Sequence, residues 1–330
     1  MAIRQARGSP STAAPDAIAV PVTIVGPTPT GGPPDDWHGG LYRRVVSALY
    51  ALPSLFKTNL SISGVRATDL YALNSALGNS IEESVVNNLN ALRSVWDPEG
   101  VFQIYAFVRQ QQVFPDVILY TPDPGVHDRI LMGIELKGWF ALAKEGEPSF
   151  RYAVTPAACA PADLLVVFPW ILDEIVSGRP RLLQPFVTEA RFAAEHRNHY
   201  WSVLRGVTGM ATAITVAAHQ APYPKKSDKF NDAAQLDSGN NFGRVARGGI
   251  MAGFISGIMQ QPTAGIPLGA WQRFFKIFSE GFTEESLTNQ LKQIRANFAA
   301  SINDSPESKS AFDNFSESLA RLLVTVDRNE

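Results

Sequence analysis

Cysteine, charge and long hydrophobic runs are all scarce in this chain of 330 residues. A single cysteine, Cys159, excludes an intramolecular disulfide and favours a reducing, cytoplasmic location. No uninterrupted apolar run reaches the roughly 18 residues that a membrane span needs. The first residues also lack the basic-then-apolar pattern of a secretory signal. The sequence therefore predicts a soluble cytoplasmic protein with no membrane partner.

Net charge does not identify a partner. Charged residues make up 18% of the chain, and the formal charge is only -2. A chain that is nearly neutral overall can still carry a basic cleft, so binding to a polyanion is neither indicated nor excluded. With 330 residues the chain is long enough to bury a large core without disulfide support.

Composition divides the chain into three parts. Residues 1–40 are rich in Pro, Gly, Ser and Thr, which predicts a flexible arm in which AIAVPVTIVG could form an edge strand. Residues 41–210 carry apolar residues at helical and strand spacing, which predicts a compact α/β core. Residues 211–330 are mainly helical in pattern and predict a further subdomain.

Within the middle part, the predicted elements follow the order of helices, strands and a helix. LYRRVVSALYALPSLF and ATDLYALNSALGNSIEESVVNNLNALRSVW are amphipathic and end at the helix breaker Asp97-Pro98. VFQIYAFVRQQQ, VFPDVILYT and RILMGIELKGWFAL predict three consecutive strands, and DLLVVFPWIL predicts one buried on both faces. TEARFAAEHRNHYWSVLRG then predicts a helix. This order indicates a sheet covered by helices.

Three charged residues, Asp116, Glu135 and Lys137, interrupt these apolar strands. Side chains alternate between the faces of a strand, so Glu135 and Lys137 project from one face while Ile134 and Leu136 point to the other. If the first of these strands pairs with the second through the turn at 121–128, the three charges meet on a rigid sheet. The simpler alternatives are an exposed ion pair for Glu135 and Lys137, and a turn role for Asp116.

Two neighbouring carboxylates repel each other unless a positive group lies between them, and an oxygen-preferring divalent cation meets that need. Mg²⁺ takes few protein carboxylates and leaves positions open for phosphate oxygens. A lysine beside it can orient or deprotonate an attacking water and stabilise developing charge on a phosphate. The three charged residues therefore favour phosphate chemistry assisted by Mg²⁺.

The spacing of these residues resembles a known signature. Pro115-Asp116, 18 intervening residues and then Glu135-Leu136-Lys137 are similar to the bipartite motif of the PD-(D/E)XK nuclease superfamily, to which most type II restriction endonucleases belong. The preceding helix GNSIEESVVNNLNAL resembles the first core helix of that superfamily, whose glutamate often joins the metal site. The resemblance covers about residues 68–205.

The resemblance implies an α/β fold with a restriction-endonuclease-like core of αβββαβ type: a mixed β-sheet flanked by helices, with a mainly helical C-terminal elaboration. In it, Mg²⁺ is held by Asp116, Glu135 and the backbone carbonyl of Leu136, and Lys137 positions the water. A further acidic residue comes from the helix, with Glu82 as the first candidate and Glu83 as the alternative.

The function implied by this resemblance is Mg²⁺-dependent endonuclease cleavage of double-stranded DNA, with a type II enzyme of a restriction-modification system as the leading case. Cutting both strands implies a homodimer, for which residues 211–330 would supply DNA contacts or the dimer interface. Two alternatives stay open. One is a less specific repair, recombination or defence nuclease, and the other is a non-catalytic nucleic-acid-binding or scaffold protein that retains the fold.

The segment PYPKKSDKFNDAAQLDSGNNFGRVARGG is either a solvated loop or a DNA contact, because basic side chains and a helix start both suit phosphates. Its candidate DNA-binding residues are Lys225, Lys226, Lys229, Asn241, Arg244 and Arg247.

Several other residues have two interpretations. His196 and His199 are expected to be ordinary helix histidines, since no acidic partner at suitable spacing completes a metal site. Arg197 and Asn198 suit phosphate or carboxylate recognition or, more simply, a salt-bridged core helix. Four tryptophans in apolar surroundings are predicted to pack in the core or between subdomains, namely Trp139, Trp170, Trp201 and Trp271.

Overall fold

A mixed β-sheet of six strands, flanked by helices, forms the centre of the protein and confirms the predicted α/β class. The computed structural model describes residues 25–63, 74–110, 113–143, 146–148, 150–205, 222–223 and 245–279, with residues 310 and 314. Over these ranges every helix is too short or too polar to span a lipid bilayer.

Three helices precede the sheet: α1 (Leu41–Leu55), α2 (Asn74–Ala91) and α3 (Arg93–Trp96). Helix α3 ends directly before Asp97-Pro98, as predicted. Helix α2 packs against the sheet through a stripe at four-residue spacing, which is one face of a helix. The residues of this stripe are Leu77, Ile81, Val85 and Leu89.

The first three strands form an antiparallel meander of β1 (Ala106–Arg109), β2 (Val117–Tyr120) and β3 (Ile130–Phe140). Strand β3 then pairs in parallel with β4 (Leu164–Leu172). All nine residues of β4 are buried, which confirms the strand predicted to be covered on both faces.

Two short strands were not predicted, β5 (Pro180–Leu182) and β6 (Phe186–Glu189), which both pair antiparallel with β4. Strand β6 includes Thr188 and Glu189, so α4 (Ala190–His199) begins two residues later than the predicted helix. Neither β5 nor β6 lies within a longer apolar run like those that predicted β1 and β2, and pairing with β4 decides their conformation.

The connection from β3 to β4 departs from the αβββαβ order that the resemblance implies. The described part of residues 141–163 contains one short 3-10 helix, Pro156–Ala158, and no α-helix. The helix that covers this side of the sheet is α4, which follows β6 and packs against β4 and β6.

Both faces of the sheet are covered by apolar residues. A large cluster joins α1 and α2 to Ile134 and Leu136 of β3. A second cluster lies between the sheet and α4, and its members include Tyr152, Cys159 and Leu165. Cys159 is buried, and three of the predicted tryptophans are fully buried, namely Trp139, Trp170 and Trp201.

The described part of the C-terminal region packs on the same large cluster. Helix α5 (Ala252–Gln260) comes first. A hairpin of β7 (Pro262–Thr263) and β8 (Ile266–Pro267), which was not predicted, joins it to helix α6 (Leu268–Ser279). Ile258, Leu268 and the half-buried Trp271 contact the large cluster. These two helices therefore extend the core that the sheet already forms.

The end of the predicted N-terminal arm is attached to the sheet through Glu189, whose side chain is buried. One carboxylate oxygen accepts hydrogen bonds from the backbone N–H of Thr30 at 3.2 Å and its hydroxyl at 2.6 Å. The other accepts from the backbone N–H groups of Gly31 and Gly32 at 2.7 and 3.1 Å. Residues 1–24, with most of AIAVPVTIVG, lie outside the described residues.

Candidate metal and nucleic-acid site

The pairing of β2 with β3 brings the charged residues of the motif together. Val117 pairs with Ile134, and the antiparallel register continued by one residue places Asp116 opposite Glu135. Asp116 directly precedes β2, so it lies at the N-terminal end of that strand. Strand β3 continues past this point to Phe140. Both side chains therefore project from the same face of the sheet.

Lys137 lies between the two carboxylates. Its ammonium donates a hydrogen bond to Oε1 of Glu135 at 2.6 Å and lies 4.0 Å from Oδ2 of Asp116. The exposed fractions of the three side chains are 20% for Lys137, 10% for Glu135 and 22% for Asp116. This is not the solvated ion pair of an exposed strand, because each partner is largely removed from water.

Asp116 also contacts the backbone of β3. Its Oδ2 accepts a hydrogen bond from the N–H of Leu136 at 2.7 Å. A strand residue directs its N–H and C=O to the same side, so the Leu136 carbonyl also faces the β2 side of the strand. The side chain of Leu136 points into the large core cluster, which fixes this peptide firmly.

Burial and crowding disturb the ionisation of the site. Burial, followed by the neighbouring Glu135 carboxylate, raises the pKa of Asp116 to about 7, although Lys137 and the Leu136 N–H act in the opposite direction. Burial alone would lower the pKa of Lys137, but the carboxylates of Glu135 and Asp116 outweigh it, so this pKa lies above its ordinary value. Lys137 is therefore a cation that offsets the charge of the two acids.

The two candidate glutamates of α2 have different surroundings. The Glu82 carboxylate contributes to raising the pKa of both Asp116 and Lys137. Glu83 points away and lines a polar cleft of about 440 Å³ between α2 and residues 55–59. Of the two, Glu82 is thus the one near the charged triplet. It is held there by Arg109, whose Nη2 lies 2.6 Å from Oε2 of Glu82.

The charged residues of the site offer a small set of oxygen donors to a cation. Among the residues that the structure describes, no three His, Cys, Asp or Glu side chains are grouped to hold a metal ion. Mg²⁺ needs fewer, since it is commonly held by one or two carboxylates and completes its shell with water and substrate oxygens. Asp116, Glu135 and the Leu136 carbonyl fit that requirement.

Most of the predicted DNA-binding residues lie outside the described residues: Lys225, Lys226, Lys229, Asn241 and Arg244. Arg247 belongs to a short 3-10 helix, Val245–Gly248. Nothing in the described part of the chain therefore tests the proposed DNA contact of this segment.

The charged residues of α4 have structural partners. Arg197 is buried and donates from Nη1 to the carbonyls of Tyr152 and Val154 at 2.7 and 2.8 Å. It also donates to the side-chain oxygen of Asn198. These bonds tie α4 to residues 152–154 and favour the core interpretation over phosphate recognition. The ring of His196 packs edge-on against Phe192.

Two residues near the site were not singled out from the sequence. Arg109 was missed because its partner Glu82 is 27 positions away. Asp163, at the start of β4, is buried and accepts from the backbone N–H of Gly133 at 2.7 Å and of Ala160 at 2.8 Å. An acidic residue directly before an apolar run was the only sequence signal for it.

Comparisons with protein-family models, with curated protein sequences and with solved structures found no match. Function is therefore inferred from the geometry of the charged residues and from the resemblance of their spacing.

Proposed function

We propose that this protein is a Mg²⁺-dependent endonuclease that hydrolyses DNA phosphodiester bonds, with type II restriction cleavage of double-stranded DNA as the leading activity. The observation that supports it most is the meeting of Asp116, Glu135 and Lys137 on one face of the sheet, in the order of the PD-(D/E)XK signature. The antiparallel meander followed by a parallel strand also suits a restriction-endonuclease-like core.

In this proposal Asp116, Glu135 and the Leu136 carbonyl hold the cation, and Glu82 of α2 is the further acidic residue that joins them. Bound Mg²⁺ supplies positive charge that polarises a phosphate oxygen and lowers the pKa of a water. The carboxylates are preorganised for this, because Asp116 is fixed by the Leu136 N–H and Glu135 is confined in a site from which most water is excluded.

Lys137 orients the attacking water and offsets the negative charge that develops on the phosphate. Its ammonium is 2.6 Å from Glu135, so a water bound by Lys137 would lie beside both carboxylates. When the charge of these carboxylates is offset, burial becomes the main influence on Lys137 and lowers its pKa. That change would make Lys137 a better proton acceptor during the reaction.

Plasmid cleavage tests the proposal. The wild-type protein with Mg²⁺ is expected to cut plasmid DNA into discrete fragments, whereas folded Glu135→Ala and Lys137→Ala variants do not. Glu83→Gln is the matched control, because Glu83 is also an acidic residue of α2 but lines the polar cleft beside residues 55–59. A smear in place of fragments would favour the less specific nuclease, and absence of cleavage of any DNA or RNA would overturn both enzyme proposals.

A non-catalytic binding or scaffold protein is the second candidate. It is favoured by the mutual pairing of the charges, since Lys137 binds Glu135 and Arg109 binds Glu82. In that case the substitutions would change the free energy of unfolding, and the wild-type protein would cleave nothing under any metal condition.

The proposed homodimer is tested separately. Light scattering of the full chain is expected to show twice the mass of one chain for the protein alone, and that mass plus one duplex when DNA is bound. A monomer in both conditions would argue against coupled cutting of two strands.

A further inference from the structure

We propose that Arg109 is a positioning residue that holds Glu82 before a cation binds and competes with that cation for the same carboxylate. The inference rests on the proposed metal site and assigns a role to a residue outside the PD-(D/E)XK signature.

Arg109 and Glu82 are in close contact, and two donors of the guanidinium reach one carboxylate oxygen. Nε and Nη2 of Arg109 each lie 2.6 Å from the same oxygen, Oε2 of Glu82. Hydrogen bonds between a guanidinium and a carboxylate are among the strongest in proteins because both partners are charged. A cation that coordinates this oxygen must displace at least one of these donors.

The position of Arg109 connects this pair to the charged triplet. Arg109 is the last residue of β1 and pairs with Val117, the residue next to Asp116. Glu82 acts electrostatically on both Asp116 and Lys137. The Arg109–Glu82 pair therefore borders the proposed cation site, although the two side chains come from an edge strand and from α2.

The exposure of the pair allows an exchange of partners. The side chain of Arg109 is 34% exposed and that of Glu82 is 20% exposed. A guanidinium at the end of an edge strand can turn toward water without leaving a buried charge unpaired. The partner of Glu135 is less exposed, since the side chain of Lys137 is 20% exposed, so Arg109 can leave Glu82 at less cost than Lys137 can leave Glu135.

Direct measurement of metal binding tests this competition without any cleavage assay. Binding of Mn²⁺ to the DNA-free protein is followed by electron paramagnetic resonance for wild type, Arg109→Gln, Glu82→Gln and the double variant. Arg109→Gln is expected to bind Mn²⁺ about fivefold more tightly, the effect of losing one partly exposed ion pair. In the double variant this gain in affinity disappears, because the Glu82 carboxylate, for which Arg109 and the cation compete, is absent.

Two further variants separate competition from a general charge effect. Arg109→Lys keeps the positive charge but loses the two-fold contact, so it is expected to lie between wild type and Arg109→Gln. Glu83→Gln is expected to leave Mn²⁺ affinity unchanged. Circular dichroism and thermal melting establish that each variant is folded, and Arg109→Lys takes the place of Arg109→Gln if the latter is not.

The possible failures are distinguishable. If wild type binds Mn²⁺ in a manner lost in Asp116→Asn, but Arg109→Gln binds it equally or more weakly, the competition is wrong while the metal site stands. If the double variant retains the gain, Glu82 is not the shared group. If wild type binds no Mn²⁺, or binding is unchanged in Asp116→Asn and Glu135→Gln, the metal site and this inference both fall.

Discussion

The ammonium of Lys137 lies 2.6 Å from a carboxylate oxygen of Glu135, two residues earlier on the same face of β3. Asp116 lies 4.0 Å from the same ammonium, so one cation serves two largely buried acids. The arrangement is stable only while that balance holds, because a buried carboxylate without a partner is costly. Removing the charge of Lys137 should therefore lower the free energy of unfolding, whereas neutralising Asp116 should raise it.

Removal of the cation should destabilise the protein. Lys137→Met leaves Asp116 and Glu135 without their shared partner, and the free energy of unfolding should fall by about 2 kcal/mol at pH 8. The loss should be smaller at pH 5, where Asp116 is protonated. Urea unfolding at the two pH values measures both effects. An equal loss at pH 5 and pH 8 would mean that lost packing, not lost charge, is responsible.

Neutralising Asp116 should have the opposite effect. The pKa of Asp116 rises from 3.8 to about 7 on folding, so between these values the folded chain holds a proton that the unfolded chain releases. Stability of the wild type therefore falls as pH rises through this window and levels off above it. Asp116→Asn removes that dependence and should be more stable than wild type at pH 8, with the difference vanishing near pH 4.

The measurement for Asp116→Asn is urea unfolding across pH 4–8, with the exposed Glu99→Gln as control. Glu99→Gln should follow the wild-type curve. If Asp116→Asn also follows it, the carboxyl is not held at a raised pKa by its surroundings.

Metal affinity should depend on the same proton. A cation can bind Asp116 only after its proton leaves, so Mn²⁺ affinity should rise by up to about tenfold per pH unit below pH 7 and become constant above it. Paramagnetic resonance of Mn²⁺ at pH 6, 7 and 8 measures this. A flat profile would show that Asp116 is already ionised or is not a ligand.

The backbone at Gly133 allows two elements to approach the sheet closely. A Cβ at this position would lie 2.9 Å from Oδ1 of Asp163 and would also overlap the ring of Pro115. Gly133→Ala should therefore lower the free energy of unfolding by about 1–3 kcal/mol. Gly253→Ala is the matched control, because α5 leaves open space there and alanine favours a helix. Thermal melting that ranks the two variants in the other order would contradict this account.

The attachment of the N-terminal segment depends on Glu189. Glu189→Ala removes the acceptor for four donors of Thr30, Gly31 and Gly32, which should cost about 1–3 kcal/mol. It should also speed proteolytic cleavage within residues 25–40. Glu99→Ala is an exposed control that should change neither quantity. Unchanged proteolysis of Glu189→Ala would show that other contacts hold the segment.

Strand periodicity accounts for what was predicted about the site. Alternation in GIELKGW places Ile134 and Leu136 in the core and Glu135 with Lys137 on the opposite face, as the structure has them. The uniformly apolar β4 shows no alternation, and it was predicted because nearly all of its residues are of types that are usually buried. The short strands β1 and β2 lie within longer apolar runs and were predicted, whereas β5 and β6 lie in none and were missed.

The sequence by itself determined the α/β class, the buried central strand and the side-by-side position of Glu135 and Lys137, because each depends on neighbours along the chain. Only the tertiary structure decided that Glu82 and not Glu83 lies near them, that Arg109 holds Glu82, and that Glu189 binds residues 30–32. These contacts join residues far apart in the chain. Their partners are selected by how the helices and the sheet pack, which no local pattern contains.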